Sequence, residues 1–146
     1  MKSKIYEFDP VVYPWRILVT KNFDPEELDE LFYVVNTNNE LEEPGNNFHP
    51  AGNCIARTLF VVSKNKYLRY IICLLVRPKE IGTGTMAHEA YHAANMFAEQ
   101  LGFLPDKFEY DEPEAYLIQW IANCIDSVMR NKANVLKGEI WMGLQT

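Results

Sequence analysis

Two neighbouring apolar runs in the middle of the chain place the strongest constraint on its fold. The segments CIARTLFVVS (residues 54–63) and YLRYIICLLVR (residues 67–77) are rich in β-branched and aromatic residues, and a polar KNK lies between them. This composition predicts a β-hairpin with a short polar turn. The second run is continuously apolar over residues 71–76. It is therefore expected to form a strand that is buried on both faces.

An amphipathic helix is predicted directly after the hairpin, between Thr85 and Gly102. Thr85 is the expected N-cap, and Gly102 is expected to follow the last helical residue. One apolar stripe of this helix would pack on the sheet; it consists of Met86, Ala90, Ala93, Phe97 and Leu101. His88 and His92 lie on a separate line with Asn95 and Glu99. The histidines are therefore expected to face a cleft between helices rather than the apolar stripe.

Further elements are predicted on both sides of this unit. Residues 15–20 read as a strand and residues 24–35 as a helix, in which Asp24 is the cap and Pro25 suits the first turn. The apolar stripe of that helix would be Leu28, Leu31, Phe32 and Val35. Residues 113–131 predict a last helix, and the tail after residue 134 is ambiguous. We expect one α+β domain, residues 1–146, in which a short antiparallel sheet packs against two helices.

Composition excludes several kinds of partner. The net charge is −6, and the chain has no Lys/Arg-rich run, so nucleic acid is not an expected partner. The N-terminus lacks the apolar core of a signal peptide, and the longest apolar run, residues 70–76, is too short to span a bilayer. We therefore expect a soluble, cytoplasmic protein with no membrane partner.

The three cysteines, Cys54, Cys73 and Cys124, are scattered and odd in number, which argues against a disulfide framework. Each lies among apolar residues and is expected to act as a small core side chain. Because none belongs to a Cys-x-x-Cys pair, a zinc site built from thiolates is not expected.

The motif His88-Glu89-Ala90-Tyr91-His92 lies inside the helix predicted after the hairpin. Residues four apart share one face of a helix, so His88 and His92 can offer two imidazole nitrogens to one ion. Glu89 lies about 100° around the helix and can flank an open metal position without binding the ion. This spacing is typical of zinc peptidases, in which the glutamate takes a proton from zinc-bound water. The remaining histidine, His49, is expected to be exposed in a loop.

A catalytic zinc usually takes a third protein ligand. An extended motif with a later glycine and histidine is excluded, because Asn95 and Ala98 occupy those positions. The alternative is an acidic residue at the start of the last helix, where Asp111, Glu112 and Glu114 are available.

Helical phase favours Glu114 as the third ligand. The positions that follow it on one face are Leu117, Ile118, Ile121 and Ile125, a buried stripe. A carboxylate in such a stripe needs a partner, and zinc would provide one. Glu112 and Asp111 remain the alternatives. Acidic residues are also favoured in the first turn of any helix.

The segments MAHEAYHAANMF and DEPEAYLIQWI together resemble the zincin-like metallopeptidases whose third ligand is a glutamate on a second helix. They look most like small HExxH proteins encoded by phages and prophages of Bacteroides-like bacteria. They are more loosely similar to prophage anti-repressor peptidases. The resemblance covers residue 54 to about residue 130, and its specific motifs lie at residues 86–97 and 111–121.

The resemblance implies that His88, His92 and Glu114 bind Zn²⁺ and that Glu89 is the general base. It also implies that an edge strand of the hairpin could align an extended peptide or protein substrate. The Asn-Glu and Ser-Asp pattern of thermolysin-like enzymes is absent. Tyr91, Tyr110 and Tyr116 are candidates to stabilise an oxyanion.

The expected function is therefore hydrolysis of peptide bonds by a zinc metallopeptidase. The rival function is a zinc-stabilised protein-binding module of phage or mobile-element origin with weak or no peptidase activity. Glu89 favours the enzyme, because a structural zinc site has no need of an acid at that position. A non-peptidic amide substrate is a third possibility.

Overall fold

The computed structural model describes residues 2–102 and 112–143. In these residues the chain forms a six-stranded mixed sheet and three α-helices, an α+β fold. The strands are β1 (Lys4–Phe8), β2 (Arg16–Asn22), β3 (Phe32–Val35), β4 (Ala56–Ser63), β5 (Arg69–Leu75) and β6 (Glu139–Ile140). The helices are α1 (Pro25–Leu31), α2 (Thr83–Leu101) and α3 (Glu112–Met129).

The predicted hairpin is confirmed as β4 and β5, which pair antiparallel from Ala56 opposite Leu75 to Val62 opposite Arg69. Every residue of β5 after Arg69 is buried, as the continuous apolar run predicts. Apolar side chains on both faces of this strand explain why it lies inside the sheet and not at its edge.

The prediction of a purely antiparallel sheet is wrong. The strand order is β3-β4-β5-β2-β1-β6, and β2 runs parallel to β5 with Leu18 opposite Ile72. Local sequence gives the apolar pattern of each strand, but its direction relative to a partner distant in the chain depends on how the intervening segments cross the sheet. Strands β1 and β6, at the end of the sheet away from β3, were not predicted from the sequence.

The prediction of a helix over residues 24–35 is wrong for the second half of that segment. Asp24 caps α1 as expected, accepting a hydrogen bond from the Glu26 amide, but the helix ends at Leu31. Phe32–Val35 form β3 and pair with β4. The four residues FYVV are all aromatic or β-branched, which favours a strand. The edge of β4 provides backbone groups with which this strand can form hydrogen bonds. Tertiary pairing therefore overrides the helical spacing of the apolar side chains.

The sheet separates two apolar layers. On one face, Val19, Phe60 and Ile71 pack against α2 and α3. On the other face, Leu18, Ile72 and Leu74 pack with α1 and with two buried aromatic residues, Phe48 and Trp141.

Helices α2 and α3 carry the sequence motifs and lie against each other on one side of the sheet. Helix α2 begins earlier than predicted, since Gly82 and not Thr85 is its N-cap, and the Met86 amide donates to the Gly82 carbonyl. It ends as predicted at Gly102, whose φ of 73° suits glycine. No helix within the described part of the chain combines the length and apolar character required to cross a bilayer.

Candidate metal centre

The orientation of α2 places the histidines of the motif at the surface. Ala90, Ala93 and Phe97 are fully buried in the layer between helices and sheet. This burial fixes the rotation of the helix, because these side chains can lie only against the sheet. His88 and His92 are consequently exposed, one turn apart on the outer side.

The two imidazoles are arranged like ligands of a single ion. Their Nε2 atoms lie 3.1 Å apart, and the rings meet at an interplanar angle of 78°. Two zinc–nitrogen bonds of about 2.0–2.1 Å at a tetrahedral angle separate their nitrogens by about 3.3 Å. The observed spacing therefore fits a shared metal ion.

Glu89 lies beside this pair but is buried, with only 4% of its surface exposed. Its Oε2 atom lies 3.9 Å from Nε2 of His88. One ligand atom from each of His88, Glu89 and His92 lies within 4.8 Å of the others, so this group could hold a metal ion. A buried carboxylate thus lies beside two exposed imidazoles.

A residue of the sheet fixes the other oxygen of Glu89. The hydroxyl of Thr58, on β4, donates to Glu89 Oε1 at 3.0 Å, and both side chains are buried. The Sγ atom of Cys73, opposite Thr58 on β5, lies 3.7 Å from the same hydroxyl oxygen. Burial, with a smaller contribution from the nearby Glu89, raises the pKa of the Cys73 thiol to about 12 despite the opposing Thr58 hydrogen bond. The thiol is therefore protonated at neutral pH.

Sequence reasoning missed Thr58, although a signal for it was present. Alternation along β4 places Thr58 on the same face as Phe60, which packs in the layer beneath α2. A threonine at such a position needs a hydrogen-bond partner, and a nearby acidic residue on the covering helix can supply it.

Glu114 does not belong to the compact group formed by the histidines and Glu89. It lies half-buried in the first turn of α3, one turn before the buried Leu117. Glu112 is exposed in the same turn and is also outside the group. The role of Glu114 as third ligand stays a prediction. The remaining alternative ligand, Asp111, lies outside the described residues.

Three of the other sequence candidates, which belong to the described residues, lie at the surface. His49 is exposed in its loop, as predicted. Tyr91 is 49% exposed and Tyr116 is 65% exposed. Tyr110 lies outside the described residues.

A cleft of about 410 Å³ opens next to the motif. Its walls are His88 and Glu89 from α2, the first residues of that helix, and the segment that leads into β4. The remaining lining residues are Asn53, Ile55, Ala56, Gly84 and Thr85. Apart from the motif, the described residues of this lining carry no charged side chain, so they present a neutral surface beside the candidate metal position.

The structure therefore contains a His-Glu-His group that could bind a metal ion. The group lies beside a cleft, and its glutamate accepts a hydrogen bond from a threonine of the sheet. Comparison of this chain with family models, curated proteins and solved structures gave no match.

Proposed function

We propose that this chain is a zinc-dependent metallopeptidase of zincin-like type. The observation that carries the proposal is the 3.1 Å spacing of the His88 and His92 Nε2 atoms beside the buried carboxylate of Glu89. Two imidazoles that converge on one point and an adjacent acid are the protein groups that metal-assisted hydrolysis requires.

Zinc is the metal that this donor set favours. Neutral imidazole suits zinc, and one common type of catalytic zinc site combines two histidines with one carboxylate and an open position. In the proposal His88 and His92 hold the ion, and Glu114 provides the third ligand from α3. The half-buried position of Glu114 near the start of that helix supports this role, because it keeps the carboxylate partly away from water.

Glu89 acts as the general base. A bound zinc ion supplies a Lewis acid that polarises the scissile carbonyl and makes a water molecule acidic. Glu89 Oε2 accepts the proton of the attacking water, because Oε1 is already engaged by Thr58. The burial of Glu89 favours this transfer, since few water molecules compete for its oxygen.

The proposed substrate is a peptide or a flexible protein segment. Strand β3 pairs with β4 only over Phe60 to Ser63. Among the described residues, no strand pairs with residues 56–59 on the side away from β5. This part of β4 contributes Ala56 to the cleft wall, so an extended segment added along it would pass close to Glu89.

The test combines metal analysis with hydrolysis. We expect purified protein to contain about one equivalent of zinc and to cleave an unfolded protein such as reduced casein. Glu89→Gln should keep the metal and lose at least about 100-fold in rate, the usual range for a general base. Glu99→Gln, an exposed position on the same helix, is the matched control and should keep full activity.

Two results would contradict the proposal. Equal cleavage by the wild type and Glu89→Gln would remove the general base. Bound zinc with no hydrolysis of any peptide substrate would favour the zinc-stabilised binding module instead.

A further inference from the structure

Glu89 is an unusual buried residue in this fold. Among the described residues, the other buried polar side chains are serines and threonines, so Glu89 is the one buried carboxylate. A carboxylate removed from water is costly unless hydrogen bonds stabilise it. The groups that contact its two oxygens therefore decide its orientation.

The two oxygens of Glu89 have different surroundings. Oε1 accepts a hydrogen bond from the Thr58 hydroxyl at 3.0 Å, and Oε2 lies 3.9 Å from Nε2 of His88. The Thr58 hydroxyl has one proton, and its other neighbours are the Glu89 carbonyl at 3.5 Å and Cys73 Sγ at 3.7 Å. A carboxylate is the strongest acceptor of the three and lies nearest, so it receives the proton.

The position of Thr58 is fixed by the sheet. It lies on β4 directly opposite Cys73 of β5, and β5 is an inner strand between β4 and β2. A β-branched side chain in a strand also has few χ1 rotamers. Its hydroxyl is therefore a rigid point from which the carboxylate of the covering helix can be oriented.

From this arrangement we propose that Thr58 is the positioning residue for Glu89: its hydroxyl holds Oε1 and so directs Oε2 towards the cleft. This inference rests on the proposed function, because it assigns the free oxygen to proton transfer. Thr58 itself belongs neither to the candidate metal group nor to the cleft lining, and it acts through Glu89, which belongs to both.

Isosteric variants separate this role from simple packing. Thr58→Val keeps the shape of the side chain and removes the hydroxyl, while Thr58→Ser keeps the hydroxyl and removes a methyl group. Thr58→Ala removes the hydroxyl without adding bulk and replaces the valine variant if that protein does not fold. Each is compared with wild type as the zinc-loaded full chain.

The first measurement does not depend on activity. The side-chain carboxyl carbon of Glu89 is observed by ¹³C NMR at one fixed pH, and its resonance is assigned from its loss in Glu89→Gln. We expect Thr58→Val to shift this resonance and Thr58→Ser to leave it near the wild-type position. Zinc affinity, measured by competition with a chelating dye, should change in all Thr58 variants by clearly less than the about 10- to 100-fold that loss of a ligand's own hydrogen-bond partner causes, because Thr58 contacts none of the proposed ligands.

The second measurement is hydrolysis of the protein substrate. We expect Thr58→Val to lower kcat by about 10- to 100-fold with little change in KM, because a misplaced base slows the chemical step. Thr58→Ser should restore most of kcat. An unchanged Glu89 resonance, an unchanged kcat, or a loss of zinc affinity in Thr58→Val would each overturn the inference. If the wild type hydrolyses nothing, the proposed function fails, while the resonance still decides whether Thr58 holds the carboxylate.

Discussion

The Nε2 atoms of His88 and His92 lie 3.1 Å apart although both side chains are exposed to solvent. One turn of a helix is enough to bring them together, because side chains four residues apart lie one above the other. Helix α2 is in turn fixed by its buried alanines and Phe97. A metal ion would thus meet two nitrogens that a rigid helix already holds in place.

Loss of either histidine should abolish stoichiometric metal binding. His88→Ala or His92→Ala leaves a single imidazole on α2, and we expect zinc content to fall well below half an equivalent after dialysis. His49→Ala is the matched control, because His49 is the one other histidine of the chain and is exposed in a distant part of the sequence. Elemental analysis measures the metal; full zinc retention in His92→Ala would exclude this site.

Replacement of Glu114 tests the third ligand. Glu114→Gln should weaken zinc binding by more than the about 10- to 100-fold that loss of an outer-sphere partner causes. Glu112→Gln changes an exposed acid in the same helical turn and should have no effect. Competition with a chelating dye gives both affinities. If the two variants behave alike, the third ligand lies elsewhere, and Glu89 is then the described carboxylate nearest to the imidazoles.

Glu27 should make the stability of the fold depend on acid pH. Burial would raise the pKa of this carboxyl group, but hydrogen bonds from the amides of Lys2 and Ser3, at 2.8 and 2.7 Å, outweigh it and lower the pKa below its ordinary value. A lowered pKa in the folded state stabilises the protein above the ordinary pKa of about 4.3, and this stabilisation is lost as the pH falls through the folded-state pKa.

We therefore expect Glu27→Gln to reduce the free energy of unfolding by about 1 kcal/mol at pH 7. The difference from wild type should shrink as the pH is lowered towards 3. Thermal unfolding at both pH values measures it, with Glu26→Gln, an exposed neighbour on α1, as the control. A difference that stays constant with pH would show that the charge of Glu27 is not responsible.

The cysteines should differ in reactivity. Cys73 and Cys124 are buried, and burial raises the pKa of both thiols, that of Cys73 to about 12. The thiolate is the reactive form, so neither should react quickly in the folded protein. Cys54 is half-buried. With a thiol-specific chromogenic reagent at pH 8 we expect at most one thiol per native chain to react, and all three after unfolding. Cys54→Ser should remove the native reaction, whereas rapid reaction of two thiols would contradict the buried positions.

Regular patterns in the sequence were sufficient for several elements of the fold. The hairpin of β4 and β5 and the helices α2 and α3 were predicted because their periodicity agrees with their tertiary surroundings. Residues Phe32–Val35 are the opposite case. Their apolar spacing continues that of α1, but they pair with β4 instead, which suits residues that are all aromatic or β-branched.

Some features of the candidate site also follow from the sequence, and others depend on the tertiary structure. The sequence by itself determined that His88 and His92 share a helix face and that Glu89 lies beside them, because helical geometry depends only on local spacing. Only the tertiary structure decided that Glu89 is buried, that Thr58 of a distant strand donates to its Oε1, and that a cleft opens beside Glu89. These relations join residues 31 positions apart, and such contacts depend on how a helix is laid on a sheet, which local spacing does not encode.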